Sequence, residues 1–204
     1  MRIAVIGAGN VGRTLGRAWQ RRGHEITYGV RDPGNAKHAT LESDVADNAN
    51  AAAAAAVVAL CTPWQATQSA VTACGDLTGK VVIDCTNPLT PDMSALELGH
   101  RTSGAEQISA WAPGARVCKA MNQIGAPMMD VPTRPATPVM FVCGNDSDAK
   151  GVAAQLVREL GFEVLDAGDL TAARLLEPLA LLWIHLALRR GIGTDWAFGV
   201  LRSS

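Results

Sequence analysis

Three features of the chain have residue types and spacing that point to chemistry. The first is Gly7-Ala8-Gly9-Asn10-Val11-Gly12, which fits G-x-G-x-x-G. In a dinucleotide-binding turn each glycine has its own task. Gly7 permits the tight turn off a strand, Gly9 lets a pyrophosphate approach the backbone, and Gly12 lets the next helix pack closely on the sheet. The first free N–H groups of that helix, around Asn10 and Val11, favour an anion at the loop. A lone glycine turn can also bind nothing; the flanking strand, helix and second strand argue for the dinucleotide.

The second feature is the corner Val30-Arg31-Asp32. NAD binders place an Asp or Glu about 20 residues past the loop, where it accepts from the ribose 2′-OH. Val30 occupies that place and can hold no hydroxyl, whereas the planar donor fork of Arg31 suits a 2′-phosphate. Asp32 lies near the same count. However, Asp32-Pro33-Gly34-Asn35 is a turn signature, so its carboxylate is expected to cap that turn. The corner predicts NADP over NAD.

The third is an absence. In open α/β sheets the ligand lies across the carboxyl ends of the strands. Those ends are the glycine loop, Val30-Arg31, Thr62-Pro63-Trp64, Asn87-Pro88 and Asn122 through Ala126. They offer amides, a hydroxyl, prolines and an indole, but no histidine and no carboxylate pair. Oxidising an alcohol with a nicotinamide normally needs a residue to take the hydroxyl proton. Passing a hydride to another redox ring needs only stacking at the right distance and orientation. The list suits the second chemistry, with no catalytic acid or base among the side chains. Of the histidines, His24 falls at the far end of the sheet, His38 and His100 are expected in solvated loops, and His185 in the core. Lys119 is expected to snorkel to an edge or bond a backbone carbonyl.

The elements that must position these residues read as a Rossmann-type, doubly wound α/β fold with a mainly parallel sheet. Ile3 to Ile6 is an unalternating apolar run, as expected of a strand buried on both faces. Val11, Leu15 and Trp19 give the first helix one apolar face. Further strands are expected at Ile26–Val30, Val57–Leu60, Val81–Asp84, Ala115–Ala120, Val139–Cys143 and Phe162–Leu165. Between Asp32 and Ala56 there is room only for helical turns and a missing or vestigial edge strand. Pro63 starts a helix to Cys74, and Ser103 with Glu106 forms a capping box for a helix through Trp111. Residues Thr90 to Thr102 read as a mobile loop over the site, and Pro127, Pro132, Pro135 and Pro138 as a proline-rich loop. A helix from Asp146 to about Leu160 follows. The division expected is a dinucleotide-binding domain over 1–168 and a helical extension over 169–204, ending in a short helix at Asp195–Leu201.

Composition bounds the remaining possibilities. The chain has 204 residues, 48% hydrophobic and 18% charged, with net charge −1, which gives no reason to expect nucleic acid or an anionic membrane as partner. The first strand begins at once, so a cytoplasmic protein is expected. Leu175 to Leu188 carries eleven apolar residues in fourteen, too short for a bilayer and apolar on every side. Such a helix belongs in the core or against a second subunit, and a homodimer through it is expected. Five cysteines show no metal-ligand spacing. Cys61, Cys85, Cys118 and Cys143 fall in or at the ends of strand runs and read as small core hydrophobes, with Cys61 and Cys85 near the ligand.

Several segments together resemble one family. They are Arg2 through Gly12, Gly29-Val30-Arg31, Thr62-Pro63-Trp64, Lys119-Ala120-Met121-Asn122, Cys143-Gly144-Asn145-Asp146, and the tail from Asp166-Ala167-Gly168 to Leu188. The chain resembles the NADPH-dependent reductases of the deazaflavin coenzyme F420, and the related cytosolic domain of six-transmembrane ferric reductases. The resemblance implies a hydride exchanged between NADP(H) and a small-molecule, flavin-like acceptor stacked on the nicotinamide, with no essential side-chain acid. It places Ala8, Gly9, Asn10 and Val11, after the turn glycine Gly7 of the cofactor loop, at the pyrophosphate, and Val30 and Arg31 at the 2′-phosphate region. Thr62, Asn87 and Ala126 would line the nicotinamide side, and Pro63, Trp64 and Asn122 complete the expected cofactor-binding set. Two departures remove phosphate donors: Val30 replaces a hydroxyl residue, and Asp32 a basic one. A conventional flavin, a quinone or a ferric chelate is an alternative acceptor. A short relative of the 3-hydroxyacid dehydrogenases or pyrroline-5-carboxylate reductases fits less well, since no lysine follows Lys150. A reading of another class is a non-catalytic NADP(H)-binding sensor.

Overall fold

The computed structural model describes residues 1–131 and 135–203. Eight strands form one sheet in the order β3-β2-β1-β4-β5-β6-β7-β8. The strands are β1 (Arg2–Ile6), β2 (Glu25–Gly29), β3 (Asp44–Ala46), β4 (Val57–Leu60), β5 (Val81–Asp84), β6 (Arg116–Lys119), β7 (Val139–Gly144) and β8 (Glu163–Gly168). Every neighbouring pair is parallel except β6 with β7, so the last two strands run opposite to the first six. The expected doubly wound sheet is present. The edge strand is vestigial, three residues long, because few residues separate Asp32 from Ala56.

The helices are α1 (Asn10–Gln20), α2 (Asn48–Ala54), α3 (Trp64–Ala73), α4 (Gly104–Trp111), α5 (Ala126–Met129), α6 (Ser147–Glu159) and α7 (Ala173–Ile184). They divide the core between the two faces of the sheet. On one face Leu15 and Trp19 of α1 meet Leu156 and Val157 of α6. The indole of Trp19, fully buried, donates to the Leu156 carbonyl at 3.2 Å, so burying it leaves no polar atom unpaired. On the other face Ala51, Val71, Ile108 and Leu176 bring α2, α3, α4 and α7 onto the sheet. The expected caps form: Ser103 accepts from Glu106 N and donates to its carboxylate at 2.8 Å.

Three expectations need correction. No helix forms at Asp195–Leu201. The backbone there serves other elements: the Trp196 carbonyl accepts from the Trp183 indole and the Phe198 carbonyl from Val139 N, while Trp196 stacks on Trp183 at 5.5 Å. The tail helix also exceeds its apolar stretch. The helical run is Leu170–Arg189, 20 residues with mean hydropathy 1.3, long and apolar enough by those measures to cross a membrane. Its buried Glu177 and paired Arg174 fasten it instead to α4. It is not buried on every side, because Leu175 is 73% and Leu182 49% exposed. Finally, His185 is exposed and not in the core, whereas His38 is buried and not solvated. The proline-rich loop is described only in part, and Pro132 lies outside the described residues.

Candidate cofactor and redox site

The glycine turn is built as its spacing requires. Gly7 has φ +101°, and a Cβ on it would lie 2.9 Å from the Cys61 carbonyl oxygen. A Cβ on Gly12 would sit 1.9 Å from the Gly7 oxygen, so the helix reaches the turn only because that atom is missing. Gly9 differs from both. It caps α1 in extended backbone, φ −80°, and a Cβ there would meet nothing within 4 Å. Gly9 is open toward a ligand, not crowded by the protein.

A cleft of about 770 Å³ lies over this turn. Gly7, Ala8 and Gly9 form its floor, Val30, Arg31 and Asp32 one end, and Thr62 and Pro63 the other. Asn10 is exposed at the first position of α1. Asp32 does not cap its turn as expected: its main-chain carbonyl accepts from Asn35 N, and the Asn35 side chain caps the next turn through Lys37 N. The Asp32 side chain lines the cleft.

Sequence reasoning missed several residues here. Lys37 and His38 line the cleft because the turn after Arg31 folds back toward the glycine loop. Arg13 fastens it there, donating to the carbonyls of Ala8 and Lys37, both at 2.8 Å. The only sequence signal was the turn signature itself, which reverses the chain just before Lys37. Burial lowers the His38 pKa, helped by Lys37 and Arg13 and opposed by Asp32. His38 and Asn48 line this cleft, and among the described residues their buried Nδ1 and Oδ1 atoms have no hydrogen-bond partner. A dinucleotide phosphate fits the open Gly9, the α1 N-terminus and the cations Arg31 and Lys37.

A second cavity of about 260 Å³ adjoins the first through Cys61, Thr62 and Pro63. Val11, Trp64, Gln65, Cys85, Thr86 and Asn87 also line it, with Leu89, Thr90, Pro91 and Met93. Among the described residues, no histidine, aspartate or glutamate lines this second cavity. Asn122 and Ala126 line neither cavity. Asn122 is buried behind Asn87 and interlocks with it: Asn87 Nδ2 donates to the Asn122 carbonyl at 2.8 Å, and Asn122 Nδ2 to Asn87 Oδ1 at 3.0 Å. Met121, at φ +60°, makes the turn that brings Asn122 there. Ala126 opens α5 against the core under α1.

Beneath these walls lies a fully buried ion triad. Lys119 Nζ is 2.6 Å from Asp84 Oδ2, 2.9 Å from Glu177 Oε1 and 2.9 Å from the Thr86 carbonyl. Lys119 does bond a backbone carbonyl as expected, but it does not snorkel to an edge. Burial opposes its charge, yet the two carboxylates outweigh burial and hold its pKa above the ordinary lysine value. Asp84 also accepts from Thr86 N and Oγ1, and Glu177 from Gly104 N and Ala105 N at the start of α4. The triad thereby ties the tail helix to the loop that forms the second cavity.

Comparison with known proteins agrees with this geometry. Residues 2–88 match the family described as NADP oxidoreductase coenzyme F420-dependent. Over 94% of its length the chain is 30% identical to the F420-dependent NADP reductase of Methanothermobacter thermautotrophicus, spanning 91% of that protein. It is 28% identical over 88% of its length to metalloreductase STEAP3 of Rattus norvegicus, but spans only 36% of that protein. A solved F420-dependent NADP-reductase candidate from Arthrobacter sp. FB24 superposes with TM-score 0.90 at 36% identity, over 99% of this chain and 100% of that one. The reductive aminase of Aspergillus terreus, solved with NADPH, is 20% identical at TM-score 0.69 over 93% of this chain and 62% of that one, and shares the fold alone. By this identity across nearly its whole length, the chain belongs to the coenzyme F420-dependent NADP oxidoreductase family.

Proposed function

We propose that the chain exchanges a hydride between NADP(H) and a flavin-like ring, the deazaflavin F420, by direct ring-to-ring transfer. One observation carries the reading: the glycine-turn cleft adjoins a cavity of about 260 Å³, and among the described residues that cavity is lined by no side-chain acid or imidazole to exchange a proton. When bound, the nicotinamide supplies or takes the hydride and the deazaflavin is its counterpart. The protein's part is positioning. Gly7 to Val11 bind the pyrophosphate, and Arg31 with Lys37 the 2′-phosphate. Thr62, Pro63 and Trp64 form the wall at the nicotinamide end. The interlocked Asn87 and Asn122 amides keep the opposite wall rigid, so little ordering is left for the moment of transfer.

The test is NADPH oxidation against a panel of deazaflavin, flavin, quinone and ferric chelate, with kcat followed against pH. Fast turnover with the deazaflavin and no steep limb near neutral pH is expected. A steep limb there would show a side chain moving a proton, and binding of NADPH without turnover of any acceptor would make the chain a sensor. A second copy of the chain covering the exposed face of α7, with Leu175 and Leu182, completes this proposal. Sedimentation should show a dimer at micromolar concentration, and Leu182→Glu should shift it toward monomer.

A further inference from the structure

Cys61 and Cys85 are the residues immediately after β4 and β5. Those strands are parallel, with Leu60 opposite Asp84, and Cys85 N donates to the Leu60 carbonyl at 3.1 Å. The ladder therefore continues one step and sets the two cysteines side by side. Both pack on the α1 face of the sheet, where the Cys85 thiol lies 3.9 Å from the Ile83 carbonyl. Both also line the second cavity, and Cys61 the cofactor cleft as well. At 9% and 7% exposure they are buried, but their cover is a cavity rather than packed core. The other three cysteines line neither cavity. Cys118 and Cys143 fall in opposite halves of the core, and Cys74 bonds the Ala70 carbonyl on α3.

We propose that Cys61 and Cys85 are a redox-active dithiol in the floor of the site, oxidised by peroxide to an intramolecular disulfide. Neighbouring strands lie about 4.8 Å apart, inside the roughly 4.4–6.8 Å Cα separation a disulfide accepts. The Cys61 sulfur attacks one peroxide oxygen, the O–O bond breaks, and the departing hydroxide leaves as water with the Cys61 proton. The resulting sulfenic acid is attacked by the Cys85 sulfur, the S–O bond breaks, and a second water leaves with the Cys85 proton. Two thiols and one peroxide thus give one disulfide and two waters. The adjoining Cys61 thiol and burial push the Cys85 thiol above its ordinary value, so its proton leaves with the second water rather than beforehand.

Protection by cofactor rests on the reading of the cleft as the NADP(H) site; the dithiol itself does not. The whole protein is treated with hydrogen peroxide and mapped by mass spectrometry without reduction. The expected product is one cross-linked peptide pair containing Cys61 and Cys85, with three of the five thiols still titratable and full reversal by dithiothreitol. Saturating NADPH should slow its formation several-fold. Cys61→Ala and Cys85→Ala should each abolish the cross-link, the remaining thiol oxidising instead to acids that dithiothreitol does not restore. Five free thiols after treatment, or a cross-link to Cys74, Cys118 or Cys143, overturns the proposal. NADPH binding is measured separately by fluorescence. A cross-link in a protein that binds no NADPH supports the dithiol and refutes the cofactor reading. Bound NADPH that leaves the cross-linking rate unchanged refutes the placement of the thiols beneath it.

Discussion

Around the glycine turn the site is made of backbone and missing side chains. Around the ends of β5 and β6 it is made of three buried charges and two interlocked amides. The first region has three glycines within six residues, and one of them faces open space. The second draws Asp84, Lys119 and Glu177 from β5, β6 and α7, each almost wholly shielded from water. The difference teaches where each region can fail. The turn can lose its ligand and keep its fold, since its key atom is one the protein does not touch. The triad holds the wall only by holding the fold.

The largest effects follow from exchanging those fates. Gly9→Val should abolish NADPH binding, because the branched side chain fills the phosphate's approach. Its extended backbone accepts valine without strain, and the melting curve should move little. Retained NADPH fluorescence in Gly9→Val would mean the phosphate lies elsewhere. Lys119→Met should do the reverse. It leaves two buried carboxylates facing each other, a loss of about 3–5 kcal/mol in urea unfolding. That is a large share of the roughly 5–15 kcal/mol stabilising a typical domain. A loss below about 1 kcal/mol would show that the triad is not an ion pair holding α7. Next in size is Arg31→Ala, which removes a charged hydrogen bond to phosphate and should weaken NADPH by about 1.5–3 kcal/mol while leaving NADH nearly unchanged. Equal losses for both cofactors, by titration, would place Arg31 away from the 2′-phosphate.

The same contrast explains what could be read before the fold was known. The turn's instructions are contiguous: Gly7, Gly9 and Gly12 carry a spacing, Val11, Leu15 and Trp19 a periodicity, and each glycine's task follows from local geometry. Ser103 with Glu106 was legible for the same reason. Lys119 was not, because its meaning depends on Asp84, 35 residues before it, and Glu177 beyond. No local pattern distinguishes a paired buried lysine from a snorkelling one. His38 was misjudged because Arg13, on another helix, draws its loop under cover. The tail at Asp195–Leu201 failed as a helix because Trp183 and Val139 claim its carbonyls, which again is tertiary information.

The smallest effect sharpens the comparison by placing a solvated ion pair beside the buried triad. Glu106, in the first turn of α4, receives Arg174 Nε at 2.8 Å and a second bond from the same guanidinium. Both side chains are partly in water, 34% and 22% exposed for Arg174 and Glu106. The Arg174 bond holds the Glu106 carboxyl below its ordinary value of 4.5, against burial, with Ser103 assisting. A carboxyl with a depressed folded pKa contributes stability in full above its unfolded value, and that contribution is lost as pH falls through the folded one. Glu106→Gln should therefore cost only about 0.2–1 kcal/mol at pH 7, the scale of a solvated pair. The difference from the native protein should vanish as pH drops below 4.5. Unfolding measured at pH 7 and in the acid range decides it. A cost that persists undiminished in acid would assign Glu106 to packing rather than charge, and would leave the buried triad alone in fastening α7 electrostatically.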